Sequence, residues 1–287
     1  MTQLDELSFG LISSLLQART GQELTETRRW RVGTVLSPLF RDYGITTSSQ
    51  FLAKITEDEK GSFVAEMIDA LLNNETYFFR DPAVFNTIRE QVLPQLAAKL
   101  ANRKQLRIWS VGCSTGQEAL SLAMMFAEAP STWDGWTIEV VGTDVSAKAI
   151  AAARRGVYSH FEVQRGLAIG QMLRFFDETP TGWRVKPELA RMVEFSEENL
   201  LDKVPKPGSF DLILCRNVLL YFDLATRTRA FQRLGEAMHS NSLLLLGGGE
   251  TVVGQTGYVK PDDSLPSFFK LAKSASDGHD FQLAASS

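Results

Sequence analysis

Hydrophobic residues recur at helical spacing along residues 1–75, which predicts a set of amphipathic helices in this region. One face of the first helix carries four leucines: Leu4, Leu7, Leu11 and Leu15. Gly21 follows this helix as a stop signal, and Ser62 is the expected N-cap of a later helix in the segment GSFVAEMIDALLNN. Because no strand pattern occurs here, we expect these helices to form a small bundle that packs on the rest of the chain.

Asp81 and Pro82 mark the start of another helix, since an acidic N-cap followed by proline at the first helical position is a favoured combination. Its inward positions recur at helical spacing: Phe85, Ile88, Val92, Leu96 and Leu100. Beyond it, buried strands alternate with helices, and the strands are predicted at 106–111, 136–144, 210–217 and 242–250. This alternation predicts an α/β architecture with a mainly parallel, doubly wound sheet.

The alternation is interrupted between residues 157 and 195. Short helical pieces in this segment are followed by a turn at ETPTG (178–182), and the runs WRVKPEL and RMVEF beside it are typical of short strands. We therefore expect an inserted small β-subdomain here. The tail from about residue 274 is polar and rich in small residues, and we expect it to be loose.

Composition and charge narrow the class of protein. The chain has 287 residues, of which 44% are hydrophobic and 22% charged, as in ordinary globular proteins. Its net charge of −4 gives no overall positive field that would recruit nucleic acid. The two cysteines, Cys113 and Cys215, form no disulfide framework and fit a reducing cytoplasm. No signal-peptide pattern and no apolar run of roughly 18 residues occurs, so we expect no membrane insertion.

The segment IWSVGCSTGQEAL (108–120) contains G-x-S-x-G, the pattern of a hydrolase nucleophile elbow around Ser114. A hydrolase also needs an acid and then a histidine later in the chain, and Ser114, Asp211 and His239 have the permitted order. However, Asp211 opens a predicted strand, His239 ends a predicted helix, and no HGGG-type oxyanion segment is present. The hydrolase interpretation is therefore disfavoured.

The same segment also has the order strand, glycine loop, helix, which is how α/β folds cradle a nucleotide-like cofactor. Gly112 and Gly116 form G-x-x-x-G instead of the dinucleotide fingerprint, and there is no P-loop lysine. Asp144 ends the next strand and can accept hydrogen bonds from ribose hydroxyls. S-adenosylmethionine, which has a ribose but no phosphate, is the better candidate; the alternative is a plain turn with Asp144 as a helix cap.

Five motifs in a fixed order carry a more specific resemblance: NETYFFRD (74–81), WSVGCSTGQEALSLAM (109–124), GTDVSAKAIAAARRGVY (142–158), FSEENLLD (195–202) and FDLILCRNVLLYFD (210–223). With them the chain, from residue 1 to about residue 274, resembles the chemotaxis-receptor glutamate O-methyltransferases, the CheR family. The resemblance implies an N-terminal helical receptor-docking domain at 1–75. It also implies a Rossmann-like S-adenosylmethionine methyltransferase domain at 76–287, with the β-subdomain inserted at 157–195.

The resemblance implies methyl transfer from S-adenosylmethionine to chemoreceptor glutamates, with S-adenosylhomocysteine as product and no metal. The family's ligand-contacting positions fall on matching residue types: Asn74, Thr76, Arg80, Gly112, Gly116, Glu118, Asp144, Asn199, Leu200, Arg216 and Asn217. Asn199 and Leu200 would lie near the adenine. Arg80 and Tyr221 are implied as catalytic residues. Arg80 is expected to orient a carboxylate, either that of the substrate glutamate or that of the cofactor's methionine part, and Tyr221 to bond the other substrate oxygen. The alternatives are a surface ion pair of Arg80 with Asp81 or Glu75, and a core role for Tyr221.

Substrate docking is expected at the arginines of TETRRWRVG, namely Arg28, Arg29 and Arg31, because the family's N-terminal domain contacts the acidic methylation helices of receptors. The alternative is a solvated helix face. The short loop DETPTG (177–182) departs from members that bind a receptor C-terminal pentapeptide, so we expect a pentapeptide-independent enzyme. Separately, we expect a monomer. The segment GGGE (247–250) replaces Gly-His-Ser-Glu and is interpreted as loop variation away from the reacting atoms. A scaffold or sensor that keeps the cofactor pocket is the remaining rival function.

Overall fold

The computed structural model describes residues 4–57, 61–255 and 257–272, so the tail expected to be loose lies outside the described residues. The described chain begins with four helices: α1 Glu6–Thr20, α2 Glu26–Asp42, α3 Ser48–Glu57 and α4 Ser62–Leu71. They share a hydrophobic core of their own, in which Ile12, Leu36, Phe51, Phe63 and Met67 are buried. The predicted N-terminal bundle is therefore present.

Helix α1 buries a different stripe from the leucine face that the sequence pattern picked out. Its buried side chains are Ser8, Ile12, Leu16 and Thr20, spaced four apart, whereas Leu7 is 69% exposed. The leucine stripe lies beside the stripe that meets α3 and α4, so it flanks the core instead of filling it. Gly21 ends the helix in the left-handed conformation as predicted, with its N–H bonded to the Gln17 carbonyl.

The helix predicted after Asp81 comprises α5 Pro82–Thr87, a π-helical turn Ile88–Val92 and α6 Leu93–Leu100. The five predicted inward side chains are all buried. Pro94 follows the π-helical turn, and its missing N–H and its ring disfavour a regular bond to the carbonyl four residues earlier. Asp81 occupies the N-cap position with φ 63°, but its side chain does not cap the helix. Likewise, Gly61 and not Ser62 is the N-cap residue of α4.

The strands and remaining helices follow in alternation. The helices are α7 Gln117–Glu128, α8 Ala147–Arg155, α9 His160–Gln164, α10 Ile169–Phe175, α11 Pro187–Ala190 and α12 Leu224–Ala237. The strands are β1 Gln105–Val111, β2 Thr137–Asp144, β3 Val157–Tyr158, β4 Phe176–Thr179, β5 Gly182–Val185, β6 Val193–Glu197, β7 Phe210–Cys215, β8 Met238–Leu246, β9 Val259–Pro261 and β10 Phe268–Leu271.

Within the described ranges, seven strands form the main sheet in the order β6-β2-β1-β7-β8-β10-β9. The first five are parallel, and β10 runs antiparallel to both of its neighbours. From β1 the chain continues to β2 on one side, and β7 lies on the other, so the strand order reverses at β1. This is the Rossmann-like, doubly wound sheet that the sequence predicts, and ligands bind such sheets at the carboxyl edge where the order reverses.

The inserted subdomain is smaller than the sequence indicated. Its sheet contains only β3, β5 and β4, paired antiparallel, and Thr179 pairs with Gly182 across a two-residue turn. The expectation that RMVEF pairs within the insertion is wrong, because Val193–Glu197 pairs in parallel with β2 at the edge of the main sheet. In WRVKPEL only the first part is a strand, since Pro187 begins α11.

Side chains that alternate along β1 enter two hydrophobic cores on opposite faces of the main sheet. Leu106 and Ile108 belong to one core, and Trp109 and Val111 belong to the other. The helices on both faces thus fix the sheet, and with it the loops at its carboxyl edge. None of the helices that the structure describes is long and apolar enough to cross a membrane.

Candidate functional site

A cleft of about 860 Å³, including space open to solvent, lies at the carboxyl ends of β1, β2 and β7. Segments from distant parts of the chain border it: the end of α1, residues 72–80, residues 198–200 and residues 216–222. Of the residues singled out as catalytic or cofactor-binding, the following line the cleft: Asn74, Thr76, Arg80, Gly112, Glu118, Asp144, Asn199, Leu200, Arg216, Asn217 and Tyr221.

Gly116 is the cofactor-binding candidate that does not line the cleft. It is the N-cap of α7 with φ 95°, and a Cβ there would lie 2.8 Å from Cζ of Phe195 and 3.0 Å from Cβ of Ala153. Its small size therefore serves the packing of α7 against β6 and α8. A direct contact between Gly116 and the ligand therefore stays a prediction.

The glycine loop approaches the cleft through backbone atoms. Gly112 has φ 65°, and a Cβ there would lie 2.4 Å from Val218, so only glycine fits at this point. Ser114 has φ 52°, its N–H donates to Oδ2 of Asp144 at 2.8 Å, and its hydroxyl donates to the Asn74 carbonyl at 2.7 Å. These bonds join the loop after β1 to the end of β2 and to the NETYFFRD segment.

Asp144 is a buried carboxylate at the end of β2. Its Oδ1 accepts from the Ser146 N–H at 2.8 Å, while Oδ2 accepts from Ser114. Burial raises the pKa of the Asp144 carboxyl, and the two backbone N–H donors oppose that rise. Each oxygen keeps a lone pair, so the carboxylate can still accept hydrogen bonds from a ligand in the cleft.

We expect Asp144→Asn to weaken binding of S-adenosylhomocysteine by roughly 10- to 100-fold, because hydrogen bonds to a charged acceptor contribute about 1.5–3 kcal/mol. Isothermal titration calorimetry measures the affinity. Asp177→Asn, which changes a carboxylate on β4 away from the cleft, is the matched control and should bind like the wild type. Unchanged affinity in Asp144→Asn would contradict a role for this carboxylate in binding ribose hydroxyls.

Arg216 links three parts of the site from a buried position, with its side chain only 1% exposed. Nη1 donates to Oε2 of Glu118 at 2.9 Å, and Nη2 donates to the Arg80 carbonyl and pairs with Asp81. Glu118 also accepts from the Ser110 hydroxyl at 2.8 Å. Burial raises the pKa of Glu118, and the positive charge of Arg216 opposes that rise. The two side chains hold each other in place through the bond between them.

Several buried polar atoms of residues that line the cleft have no hydrogen-bond partner among the residues that the structure describes. They are Nε of Arg216, Oε1 of Gln22 and Oε2 of Glu198, and all three residues line the cleft. A buried polar atom without a partner costs about 1–3 kcal/mol, so a ligand that supplies both acceptors and donors is favoured here. S-adenosylmethionine has a carboxylate, an amino group, ribose hydroxyls and an adenine amino group. The residues present therefore fit this cofactor.

Arg80 is not held in the ion pair that was the alternative to a functional role. Its Nη1 donates to the Glu75 carbonyl at 2.9 Å, and within the described chain its guanidinium forms no ion pair. The acids proposed as partners are bound elsewhere: Asp81 pairs with Arg216, and Glu75 pairs with Arg165 at 2.9 Å. The Arg80 guanidinium is thus available at the cleft, which it lines.

The three arginines expected to dock a receptor do not form one surface. The guanidinium of Arg28 lies 4.9 Å from the centre of the Tyr221 ring. Arg29 pairs with Glu6 and lies 4.2 Å from the centre of the Phe9 ring. Only Arg31 of the three is exposed. Consecutive helical positions are turned by about 100°, so a run of arginines in sequence does not make a patch.

The hydrolase triad is not assembled. The Ser114 hydroxyl is bonded to the Asn74 carbonyl at the carboxyl edge of the sheet, whereas Asp211 lies at the opposite end of β7. Asp211 pairs there with Arg103, and its Oδ1 lies 3.1 Å from Nε2 of His239. His239 lies in β8, so its placement at a helix end was wrong. This pair stabilises the sheet edge away from the cleft.

Glu250 is a supporting residue that the sequence interpretation missed. Its Oε1 accepts from the N–H groups of Val218 and Leu219 at 2.8 and 2.7 Å, and Oε2 accepts from Gly247 at 2.7 Å. The carboxylate thereby fixes the backbone that connects Asn217 to Tyr221, so the segment 247–250 supports the site and is not remote from it. The signal in the sequence was the position of this acid shortly after a buried strand; Asp144 likewise stands at the end of one.

Comparisons with known proteins identify a family that this chain matches. Residues 74–264 match the family described as CheR methyltransferase, SAM binding domain. The chain is 34% identical to a "Chemotaxis protein methyltransferase 1" of Pseudomonas aeruginosa, over 85% of this chain and 90% of that protein. It is 31% identical to a "Chemotaxis protein methyltransferase" of Vibrio parahaemolyticus, over 85% and 89%. It is 30% identical to "Chemotaxis protein methyltransferase Cher2" of Pseudomonas putida, over 93% and 98%.

Proposed function

The chain belongs to the CheR methyltransferase family, and we propose that it methylates glutamate side chains of chemoreceptors to adapt chemotaxis-type signalling. The products are glutamyl methyl esters and S-adenosylhomocysteine. The observation that carries the proposal is the cleft at the point where the strand order reverses, with Asp144, Arg80 and Tyr221 on its walls. Residues from four distant segments border this cleft together with the carboxyl ends of β1, β2 and β7.

The chemistry needs positioning more than proton transfer. The substrate glutamate is ionised at neutral pH, since its ordinary pKa is about 4.3, so no general base is required. When bound, S-adenosylmethionine supplies an electrophilic methyl group on a sulfonium sulfur. The enzyme has to hold one carboxylate oxygen in line with that methyl group. Such positioning contributes up to about 7–11 kcal/mol in favourable intramolecular reactions.

We assign a separate role to each group of residues that line the cleft. Asp144 accepts from the ribose hydroxyls, and Asn199 and Leu200 contact the adenine. Arg216 and Glu118 hold the polar end of the cofactor, with Asn74, Thr76 and Asn217 beside it. Arg80 orients a carboxylate through its planar guanidinium, either on the substrate glutamate or on the methionine part of the cofactor. Tyr221 donates a hydrogen bond to the second oxygen of the substrate carboxylate.

One assay separates this function from its rivals. The wild-type protein is incubated with tritium-labelled S-adenosylmethionine and receptor cytoplasmic fragments, and base-labile label on the receptors is counted. We expect label on the receptors. Cofactor binding without transfer would favour a scaffold or sensor. Esterase activity that is lost in Ser114→Ala would favour the hydrolase, although Ser114 has no triad partner in the described chain.

The N-terminal helices are proposed to dock the methylation helices of receptors, with Arg31 as the exposed charge on α2. We expect Arg31→Glu to raise KM for the receptor by about 2- to 5-fold and to leave kcat unchanged, since an exposed ion pair contributes up to about 1 kcal/mol. The effect should shrink as salt rises.

Arg155→Glu, the same charge change at an exposed position of α8, is the control. An unchanged KM in Arg31→Glu would count against docking at this position. Arg28 is unsuitable for this test because it contacts Tyr221.

Receptor recognition is proposed to be independent of a C-terminal pentapeptide. The support is the hairpin of β4 and β5, in which Pro180 and Thr181 alone separate the paired residues Thr179 and Gly182. This leaves no long glycine-containing loop between the strands. We expect calorimetry to detect no binding of a receptor C-terminal pentapeptide to the wild-type protein. Tight binding would overturn this part of the proposal.

We propose that the enzyme acts as a monomer in the cytoplasm, without a metal and without nucleic acid. Cys113 and Cys215 are free and buried, and burial raises the pKa of both thiols, so they behave as inert core residues. Free thiols fit a reducing compartment. In the part of the chain that the structure describes, no group of three histidine, cysteine or acidic side chains is arranged to hold a metal ion.

A further inference from the structure

Tyr221 is held at three points by residues that precede the methyltransferase sheet in the chain. Its carbonyl accepts from the Glu23 N–H at 2.8 Å. Its hydroxyl lies 2.7 Å from Nδ2 of Asn73. Its ring lies 4.9 Å from the guanidinium carbon of Arg28. The backbone, the ring and the hydroxyl of this one residue are therefore each contacted by a residue of the N-terminal part of the chain.

Arg28 is itself fixed by backbone carbonyls. Nη1 donates to the Glu23 carbonyl and Nη2 to the Leu71 carbonyl, both at 3.3 Å, so the side chain ties the start of α2 to the end of α4. Burial lowers the pKa of Arg28, but the guanidinium stays charged at neutral pH. A cation over an aromatic face is attractive, and more so when it is partly desolvated. The ring of Tyr221 thus rests against a fixed charge.

The bond from Asn73 decides what the Tyr221 hydroxyl can do. An amide nitrogen is a donor only, so the hydroxyl accepts in this bond and keeps its own hydrogen. That hydrogen is free to be donated to an acceptor in the cleft, which Tyr221 lines. A hydroxyl that already accepts a hydrogen bond is also a stronger donor, because neighbouring hydrogen bonds polarise one another.

We propose that Asn73 and Arg28 are positioning residues that fix the Tyr221 ring and leave its hydroxyl hydrogen to the substrate carboxylate. The N-terminal helices then complete the active site in addition to docking the receptor. Neither residue was assigned this role by the sequence, where Arg28 was a docking residue. The inference rests on the proposed function, because it assumes that the carboxylate of a glutamate enters the cleft beside Tyr221.

A double-mutant cycle tests the Asn73 contact. We expect Asn73→Ala to lower kcat by roughly 5- to 10-fold with little change in KM for the receptor, as for the loss of one hydrogen bond. Tyr221→Phe removes the hydroxyl, so Asn73→Ala should cause no further loss in the Tyr221→Phe background. Additive losses would show that Asn73 acts through something other than the hydroxyl and would overturn this part of the proposal.

The Arg28 contact is tested by Arg28→Ala and Arg28→Lys. We expect Arg28→Ala to lower kcat by about 3- to 10-fold, and Arg28→Lys to restore part of the loss because a cation remains near the ring. Lys54→Ala is the matched control, since Lys54 lies 5.7 Å from the Tyr43 ring on α3, and it should act like the wild type. Equal losses in Arg28→Ala and Arg28→Lys would contradict the role of the charge.

Amide hydrogen exchange separates a failure of this inference from a failure of the proposed function. We expect exchange in residues 217–222 to rise in Arg28→Ala and to stay unchanged in Lys54→Ala, whether or not a receptor is methylated. No transfer by the wild type would contradict the proposed function alone. Normal transfer with an additive cycle and unchanged exchange would contradict the inference alone.

Discussion

We expect Arg80→Ala to lower kcat for receptor methylation by about 100-fold or more while the protein stays folded. The expected loss is large because a misplacement of about 1 Å in the reacting geometry can cost about 100-fold in rate. Arg80 suits the role of orienting a carboxylate, since its guanidinium lines the cleft and forms no ion pair within the described residues. Little stability should be lost, because the side chain is only partly buried and its hydrogen bond goes to a backbone carbonyl, that of Glu75.

Two further measurements make this prediction specific. Arg89→Ala removes an arginine of the neighbouring π-helical turn, which pairs with Glu128 at 2.8 Å, and should leave kcat unchanged. Calorimetry with S-adenosylhomocysteine identifies the target of Arg80: unchanged affinity favours the substrate glutamate, and weakened affinity favours the cofactor carboxylate. Methylation near the wild-type rate by Arg80→Ala would contradict a catalytic role.

We expect Arg216→Ala to lower the free energy of unfolding by about 3–5 kcal/mol, the cost of breaking a buried ion pair by removing one partner. The reason is that Glu118 would stay buried without its charged partner, and Asp81 would lose its anchor to β7. Urea unfolding followed by circular dichroism measures the loss. The sign for Glu118 follows from burial, which raises its pKa and disfavours the ionised form when the Arg216 charge is absent.

The companion variants decide whether charge is the cause. Adding Glu118→Gln to Arg216→Ala should recover part of the lost stability, because an uncharged amide can still bond to the Ser110 hydroxyl and leaves no buried charge. Arg233→Ala removes a half-buried arginine that is paired with the exposed Glu236 near the surface and should cost less than about 1 kcal/mol. A loss for Arg216→Ala no larger than for Arg233→Ala would contradict the account of a buried network.

The sheet and the position of the cleft could be predicted from the sequence for a geometric reason. Buried parallel strands are read as apolar runs, and β1, β2, β7 and β8 overlap the predicted strands. Once β1 and β2 are adjacent and parallel, their carboxyl ends meet at one edge. The glycine loop at 112–116 and Asp144 must then be neighbours, and the bond from Ser114 to Asp144 reflects that.

The pairing partner of β6 and the buried face of α1 could not be predicted from the sequence in this way. The run RMVEF has the pattern of a short strand, but periodicity reports which side is buried and not which strand pairs with it, so β6 was assigned to the insertion. In α1, two adjacent stripes are both apolar enough to face a core. The choice between them depended on where α3 and α4 lie, which one helix's own sequence does not contain.

Long-range side-chain contacts explain the remaining differences at the site. Asp81 has the residue type of a helix cap, yet its left-handed backbone turns it to Arg216, which lies 135 positions later in the chain. Arg28 has the residue type of a docking charge, yet the fold turns it to Tyr221. A motif assigns chemistry to a residue, but the partner of that residue depends on the packing of the N-terminal helices against the sheet.

The proposed formation of methyl esters on receptor glutamates can be tested by mass spectrometry of a receptor cytoplasmic fragment after incubation with S-adenosylmethionine and the wild-type protein. We expect an added methyl group on glutamate residues of the methylation helices, which is lost after mild base and is nearly absent with Arg80→Ala. Methylation that is stable to base, or a receptor fragment that gains no methyl group, would contradict the proposal.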